Sequence, residues 1–262
     1  MSTSSAPGVG SGCSVSVKTP GPPYSEMVIA RTVPDGSRSV AAMALPPPDP
    51  LPEPWPLRHL LLRTPRLTLR PDDDEGIYEL AALAVRGIHP PEQMPFGQPW
   101  TDQAPADLVR SSVQHYWALR SQLSASQWSV NFLVRHDGAV IGTQKLSAHD
   151  FAITREVSTG SWLGLGYQRR GFGTEMRAAV LLLAFDHLGA TAARSGAYSD
   201  NPASLRLSEK LGYRADGTRT FARRGVAATE IQLLLAAAHF VRPEWTLEVT
   251  GLDGCRELLG AV

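Results

Sequence analysis

Between Ser158 and Arg177 the chain reads STGSWLGLGYQRRGFGTEMR, and its charged and glycine residues are spaced to hold an anion. Ser161, Trp162 and Leu163 read as a short strand. A glycine-bearing turn follows, and an apolar-periodic helix runs on to about His187. A helix start leaves main-chain N–H groups unpaired and carries a partial positive charge, and glycines let an anion approach that main chain closely. Gly171 and Gly173 supply the approach, and Arg169 and Arg170 add full charges beside it.

Two common phosphate patterns do not fit. The dinucleotide fingerprint, counted from Gly164 and Gly166, needs a third glycine where the chain has Arg169. Gly166 and Gly171 have the spacing of a nucleotide P-loop, but Phe172 and Gly173 follow where Lys and a hydroxyl residue are required. The run Gln168-Arg169-Arg170-Gly171-Phe172-Gly173 resembles, without departure, the acyl-CoA pyrophosphate loop (Q/R-x-x-G-x-G/A) of the GNAT superfamily of N-acetyltransferases.

At 262 residues the chain is long enough to bury a substantial core. Twenty-five basic and 25 acidic residues balance, which argues against a general nucleic-acid binder. Cys13 and Cys255 lie near opposite ends without metal-ligand spacing, so neither a disulfide framework nor a metal site is expected. A reducing, cytoplasmic setting follows as the default. No apolar run is long enough to span a bilayer and the first residues lack a signal pattern, so no membrane association is expected.

Residues 1–56 are rich in Ser, Gly and Pro and end in PPPDPLPEPWP, a composition that cannot bury enough apolar surface to offset chain entropy. They read as a disordered extension, with Met27 or Met43 as alternative physiological starts. Leu60, Leu61 and Leu62 then lead into a first strand over Arg66–Arg70, by its strict alternation. Pro71-Asp72-Asp73-Asp74-Glu75 supplies the cap and acidic first turn of a helix to about Val85. A loop, Gly87–Thr101, carries Met94, Phe96 and Trp100, and a second helix runs from about Asp107 to Gln122. Ser129–Arg135 and Ala139–Leu146 form a hairpin about His136-Asp137-Gly138. After the anion loop and its helix come a strand over Ala193–Tyr198, a helix over Asn201–Leu211 and a strand over Ile231–Leu235. The tail holds a short strand at Leu247–Val249 and a marginal helix near Glu257.

That element order is similar to the GNAT acyl-CoA N-acyltransferase fold, an α/β arrangement with a mixed, mostly antiparallel sheet and helices on both faces. The opening LRTPRLTLRP and the pair Asp200-Asn201-Pro202-Ala203-Ser204 and Leu211-Gly212-Tyr213 resemble the branch containing the ribosomal-protein alanine N-acetyltransferases. The resemblance places the catalytic domain at 57–240, with 241–262 a tail packing on or extending it. It implies acetyl-CoA as acyl-donor co-substrate and a primary amine as acceptor. Many relatives dimerise, so a homodimer is allowed, although no stretch specifies an interface.

By the same resemblance, the turn of Gln168, Arg169, Arg170, Gly171, Phe172, Gly173 and Thr174 takes the pyrophosphate on its main-chain N–H groups. The pantetheine arm pairs as an added strand along the edge that ends at Leu163, and an N–H near Leu163 faces the oxyanion. Asn201 would bond the pantetheine, or serve as a plain N-cap, or both. The nucleophile must be neutral, which is easier for an α-amine, ionising at about 7.7–8.0, than for a lysine at about 10.4. Many family members place a tyrosine seven residues after this asparagine to protonate the thiolate, but here the position is Ser208. Ser204 matches the serine suggested for that task in the ribosomal-protein branch; otherwise it is a small residue at a helix start. Glu156, His149, Asp150 and Glu175 are candidate bases, none singled out. Rival readings are another acyl donor such as succinyl-CoA, an antibiotic-modifying transferase, and a non-catalytic acyl-CoA sensor.

Overall fold

The computed structural model describes residues 53–262; residues 1–52 of the extension, with its alternative starts, lie outside the described residues, and its last residue, Pro56, opens a 3-10 turn over Pro56–His59. Nine strands form one sheet flanked by helices on both faces, in the order β7-β8-β6-β5-β4-β3-β2-β1-β9. All neighbours are antiparallel except β5 and β6.

The first strand expected over Arg66–Arg70 stands as β2 (Thr68–Pro71), and the leucine run before it forms a further strand, β1 (Leu61–Arg63). The two pair through Leu62 and Leu69, and the Thr64 hydroxyl accepts the Leu67 N–H to close the turn between them. Helix α1 (Asp74–Val85) starts as its acidic run predicts, with the Asp73 carboxylate accepting the Gly76 N–H at 2.7 Å. Helix α2 (Pro105–Ser121) lies beside it. Trp117 is 44% exposed: it stands one residue, and so about 100° of helix, from the buried Tyr116, and its indole N–H donates to Asp74. Strands β3 (Gln127–His136) and β4 (Ala139–His149) form the hairpin, with Asp137 and Gly138 both at positive φ in the turn.

β5 (Glu156–Leu163) runs antiparallel to β4 and leads, through the anion loop, into α4 (Phe172–Leu182), a short α3 (Phe151–Thr154) having preceded it. The helix expected to reach His187 changes to a π-helical turn over Leu183–His187. β6 (Ala192–Tyr198) and α5 (Pro202–Lys210) follow. A hairpin of β7 (Arg214–Arg223) and β8 (Val226–Ala236) then completes one end of the sheet. β7 has no signature in the sequence because this edge strand is exposed almost throughout and has no apolar alternation; its partner β8 holds it. In the tail, β9 (Glu248–Thr250) pairs with β1, and a 3-10 turn at Asp253–Cys255 stands in place of a helix near Glu257.

Two apolar layers fix the sheet. On one face α4 packs Phe172, Met176 and Val180 against Phe132, Ile141, Val157 and Leu163. On the other, α1 and α2 pack Ile77, Leu80, Val113 and Tyr116 against Leu133 and Val140, with Trp162 at the edge. Among the described residues no helix is long and apolar enough to cross a membrane, and no cluster of three or more His, Cys, Asp or Glu is placed to hold a metal.

Candidate active site

The anion loop is built by two left-handed residues and one remote clamp. Arg169 has φ 60° and Gly171 φ 82°, which turns the chain sharply and leaves the N-cap of α4 without a side chain to cap it. The first-turn N–H groups of α4 therefore face outward without a capping side chain, next to the exposed Arg169 and Arg170. The Gln168 amide is spent inside the protein, donating to Ile88 O at 2.6 Å and Leu163 O at 2.9 Å, so its side chain ties the loop to the end of α1 and to β5.

Arg66 is the clamp. Its Nε donates to Glu175 Oε2 at 2.7 Å, its Nη1 donates to the main-chain oxygen of Arg170 at 3.0 Å, and its guanidinium lies 4.7 Å from the Phe172 ring centre. Thr64 Oγ1 and the Arg66 N–H also donate to the buried Glu175, at 2.6 and 3.1 Å. Glu175 is thus a structural anchor of α4 and not a free base. No local signal links residues 109 apart in sequence, so sequence reasoning missed this clamp.

A cleft opens beside the loop because β5 and β6 pair only from Glu156–Ala192 to Ser158–Arg194 and then part. Ser195 Oγ donates to Thr159 O at 3.2 Å at the point of parting. Gly164 N–H donates to Ile141 O, and main-chain groups alternate along a strand. Counting back, those of Gly164, Trp162 and Gly160 face β4, and those of Leu163, Ser161 and Thr159 face the cleft. Thr159 O and Leu163 O already accept side-chain donors, which leaves both main-chain groups of Ser161 and the N–H of Leu163 at the edge.

The two sides of this cleft differ. On the α4 side stand α5 and its cap, where Asn201 Oδ1 accepts the Ser204 N–H at 3.2 Å. The N-cap alternative for Asn201 is realised, and its amide NH2 has no partner among the described residues. Ser204 Oγ is likewise free of partners there, while Ser204 O accepts from Ser208 Oγ at 2.9 Å. On the α1/α2 side, continuing the β5–β6 register sets Gly160 level with Gly196, so two residues without side chains flank the gap. Over Gly196 lies the Glu230 carboxylate from β8: a Cβ built on Gly196 would stand 2.7 Å from Glu230 Oε1, and Gln232 donates to the other oxygen. Sequence reasoning did not find Glu230, whose place depends on strand pairing alone. Lys145, paired with Gly160 on β4, shares this face, and burial pushes its ammonium below the usual lysine range.

The remaining candidate bases are elsewhere. Glu156 is ion-paired with Arg194 at 2.5 Å, and His149 and Asp150 are exposed at the far end of β4. Arg223 and Arg224 are engaged: Arg223 donates to Met94 O and Asp200 and lies 4.3 Å over the Tyr198 ring, and Arg224 pairs with Asp102. Together they fasten the β7–β8 turn to the Gly87–Thr101 loop. In that loop Phe96, Trp100 and Trp162 form a continuous aromatic run, with ring centres 5.1 and 6.0 Å apart. Gly97 sits where a Cβ would be 2.8 Å from the Tyr198 hydroxyl, so the loop rests directly on the end of β6.

A split mixed sheet with a helix start at the mouth of the split defines an acyl-CoA-dependent transferase. Residues 66–214 match the Acetyltransferase (GNAT) domain family, and the chain belongs to that family. It is an acyltransferase acting on amines. Solved structures similar in fold include RimL, a ribosomal L7/L12 alpha-N-protein acetyltransferase in complex with coenzyme A (16% identical, TM-score 0.53, covering 66% of this chain and 95% of that one). A dodecameric spermidine N-acetyltransferase from Vibrio cholerae is 15% identical with TM-score 0.51, covering 67% and 96%. A Vibrio cholerae protein named as a ribosomal-protein-serine acetyltransferase is 21% identical with TM-score 0.52, covering 67% and 97%. At these identities the likeness concerns the fold.

Proposed function

We propose that this transferase moves the acetyl group of acetyl-CoA directly to a primary amine, with a peptide or protein N-terminal α-amine as the favoured acceptor. The observation that carries the reading is the cleft with two unlike sides. On the α4 side, the main-chain N–H groups from Gln168 to Thr174 take the pyrophosphate, and the free edge at Leu163 and Ser161 pairs with the pantetheine amides. Asn201 offers its free amide to the same arm, and Ser204 passes a proton toward the departing sulfur. The acceptor approaches from the α1/α2 side through the gap between Gly160 and Gly196, where Glu230 receives the proton that the attacking amine loses. An α-amine suits this arrangement because a carboxylate base need remove little charge from a group that ionises at about 7.7–8.0. Holding amine and thioester across one gap supplies much of the acceleration.

The catalytic domain is taken as 57–240, with the tail of 241–262 joined to its sheet through β9. Cys255, buried and without a disulfide partner among the described residues, supports a reducing, cytoplasmic setting, and the exposed edge strand β7 is compatible with a homodimer. The ribosomal-protein neighbours favour the peptide acceptor, and the spermidine neighbour keeps small amines in the test. Thiol release from acetyl-CoA by the full chain is measured against N-terminal peptides, free amino acids, polyamines and aminoglycosides, with succinyl-CoA in parallel. Release with peptides alone is expected. Release only from succinyl-CoA, or only with polyamines, would replace the donor or acceptor named here, and CoA binding without release from either donor would favour a sensor.

A further inference from the structure

Arg177, on the inner side of α4, is 4% exposed and has no acidic partner among the described residues. Its Nη1 donates to Ser208 Oγ at 2.9 Å and its Nη2 to Ser161 Oγ at 3.1 Å, and its Nε–H has no partner among the described residues. A guanidinium keeps its charge at every ordinary pH, and burying one without an anion is strongly unfavourable. Among the described residues the one titratable group it feels is the Tyr213 phenol, which is hydrogen-bonded with the Thr159 hydroxyl. The described fold therefore keeps a cation directed at a place where its own residues supply no negative charge.

The two serines it touches are not equivalent. Ser208 accepts from Arg177 and gives its own proton to Ser204 O, so both its roles are filled. Ser161 accepts from Arg177 and retains a proton with no acceptor among the described residues. Ser161 is also the half-buried residue whose main-chain groups face the cleft. Resting on the cofactor placement above, we propose that Ser161, polarised by Arg177, is the hydrogen-bond donor that holds the negative charge of the CoA sulfur as the acyl group leaves. The amine nitrogen forms its bond to the carbonyl carbon, the carbon–sulfur bond breaks with its electron pair going to sulfur, and the amine proton goes to Glu230. The thiolate rests on the Ser161 hydroxyl until a proton reaches it, by way of Ser204 or water, so that amide and free thiol are the products. Ser161 is the catalytic residue in this step, and Arg177 is a positioning residue acting through it.

The test needs no acceptor. CoA and desulfo-CoA, in which hydrogen replaces the thiol, are titrated into the full chain by calorimetry from pH 6 to pH 9, and thiolate absorbance of bound CoA is followed over the same range. The bound thiol is expected to ionise at least one unit below an ordinary thiol near about 8.5, making CoA about tenfold tighter than desulfo-CoA at alkaline pH. Ser161→Ala should remove that preference while desulfo-CoA binds as before. Arg177→Gln, which keeps donors but loses the charge, should reduce the preference with Ser161 still in place. Equal binding of the two ligands at every pH, or an undiminished preference in Ser161→Ala, would overturn this proposal alone. Failure of both ligands to bind would overturn it together with the cofactor placement. Should Arg177→Gln fail to fold, Ser161→Ala decides.

Discussion

Replacing Arg66 by methionine tests whether a residue from the first turn of the domain holds the anion loop. The substitution keeps much of the side chain's apolar length over Phe172 but removes the cation from Glu175 and the donor from Arg170 O. Glu175, 7% exposed, would retain the Thr64 hydroxyl and one main-chain N–H. Breaking a fully buried ion pair costs about 3–5 kcal/mol, but Arg66 is 45% exposed and two donors remain, so about 2 kcal/mol is the reasonable expectation. For a domain of this size that lowers Tm by roughly 4–8 °C. Thermal melts of parent and Arg66→Met at pH 7.5 read the deficit, and CoA affinity should fall about fivefold, one hydrogen bond's worth of loop order. Equal melting of parent and variant would refute the clamp. Glu175→Gln in the Arg66→Met background should recover part of the loss.

Three further outcomes are expected. Gly171→Val should abolish CoA binding in calorimetry, because φ is 82° there and an added Cβ would stand 3.1 Å from Arg66 Nη2; unchanged affinity would remove the loop from the cofactor site. Ser204→Ala should lower turnover more than CoA affinity, and an unaltered rate would leave Ser204 as a helix-start residue. Burial pushes the Asp72 carboxyl from 3.8 up to about 6, against the pull of Asn131 and Arg120. Because the folded value is the higher one, the native state holds the extra proton between those pH values, and stability falls as pH rises through them. Asp72→Asn should therefore gain up to about 3 kcal/mol in denaturant melts at pH 7.5 and nearly nothing at pH 4; a gain independent of pH would contradict the burial argument.

What the sequence disclosed was chemistry completed within a few residues. The Asp73 cap and the Asp137-Gly138 turn close on themselves locally, and the Gly171-Phe172-Gly173 loop takes its turn from its own positive-φ glycine even though a remote arginine clamps it, so their residues name them. β1 was hidden because it is only three residues long and the turn that separates it from β2 is closed by the Thr64 side chain. β7 was hidden for the opposite reason, having no buried face to leave a pattern. Arg177 lies on an apolar-periodic helix without any local sign of its setting, and only three-dimensional packing reveals that no carboxylate of the described residues reaches it. Glu230 acquires its position from a glycine on the neighbouring strand, a relation that pairing creates and no short motif carries.

The split divides the sheet into two slabs. Along it β6 meets β5 through three residue pairs, the Ser195–Thr159 bridge and the Glu156–Arg194 ion pair, and beyond Ser158–Arg194 the two strands part. In the proposed cofactor placement, a ligand lying along that seam replaces missing strand-to-strand bonds with its own amides and acts as mortar between the two slabs. On that reading the open main-chain groups of Ser161 and Leu163 are closed by the molecule the protein consumes, and the substrate completes the scaffold once per turnover.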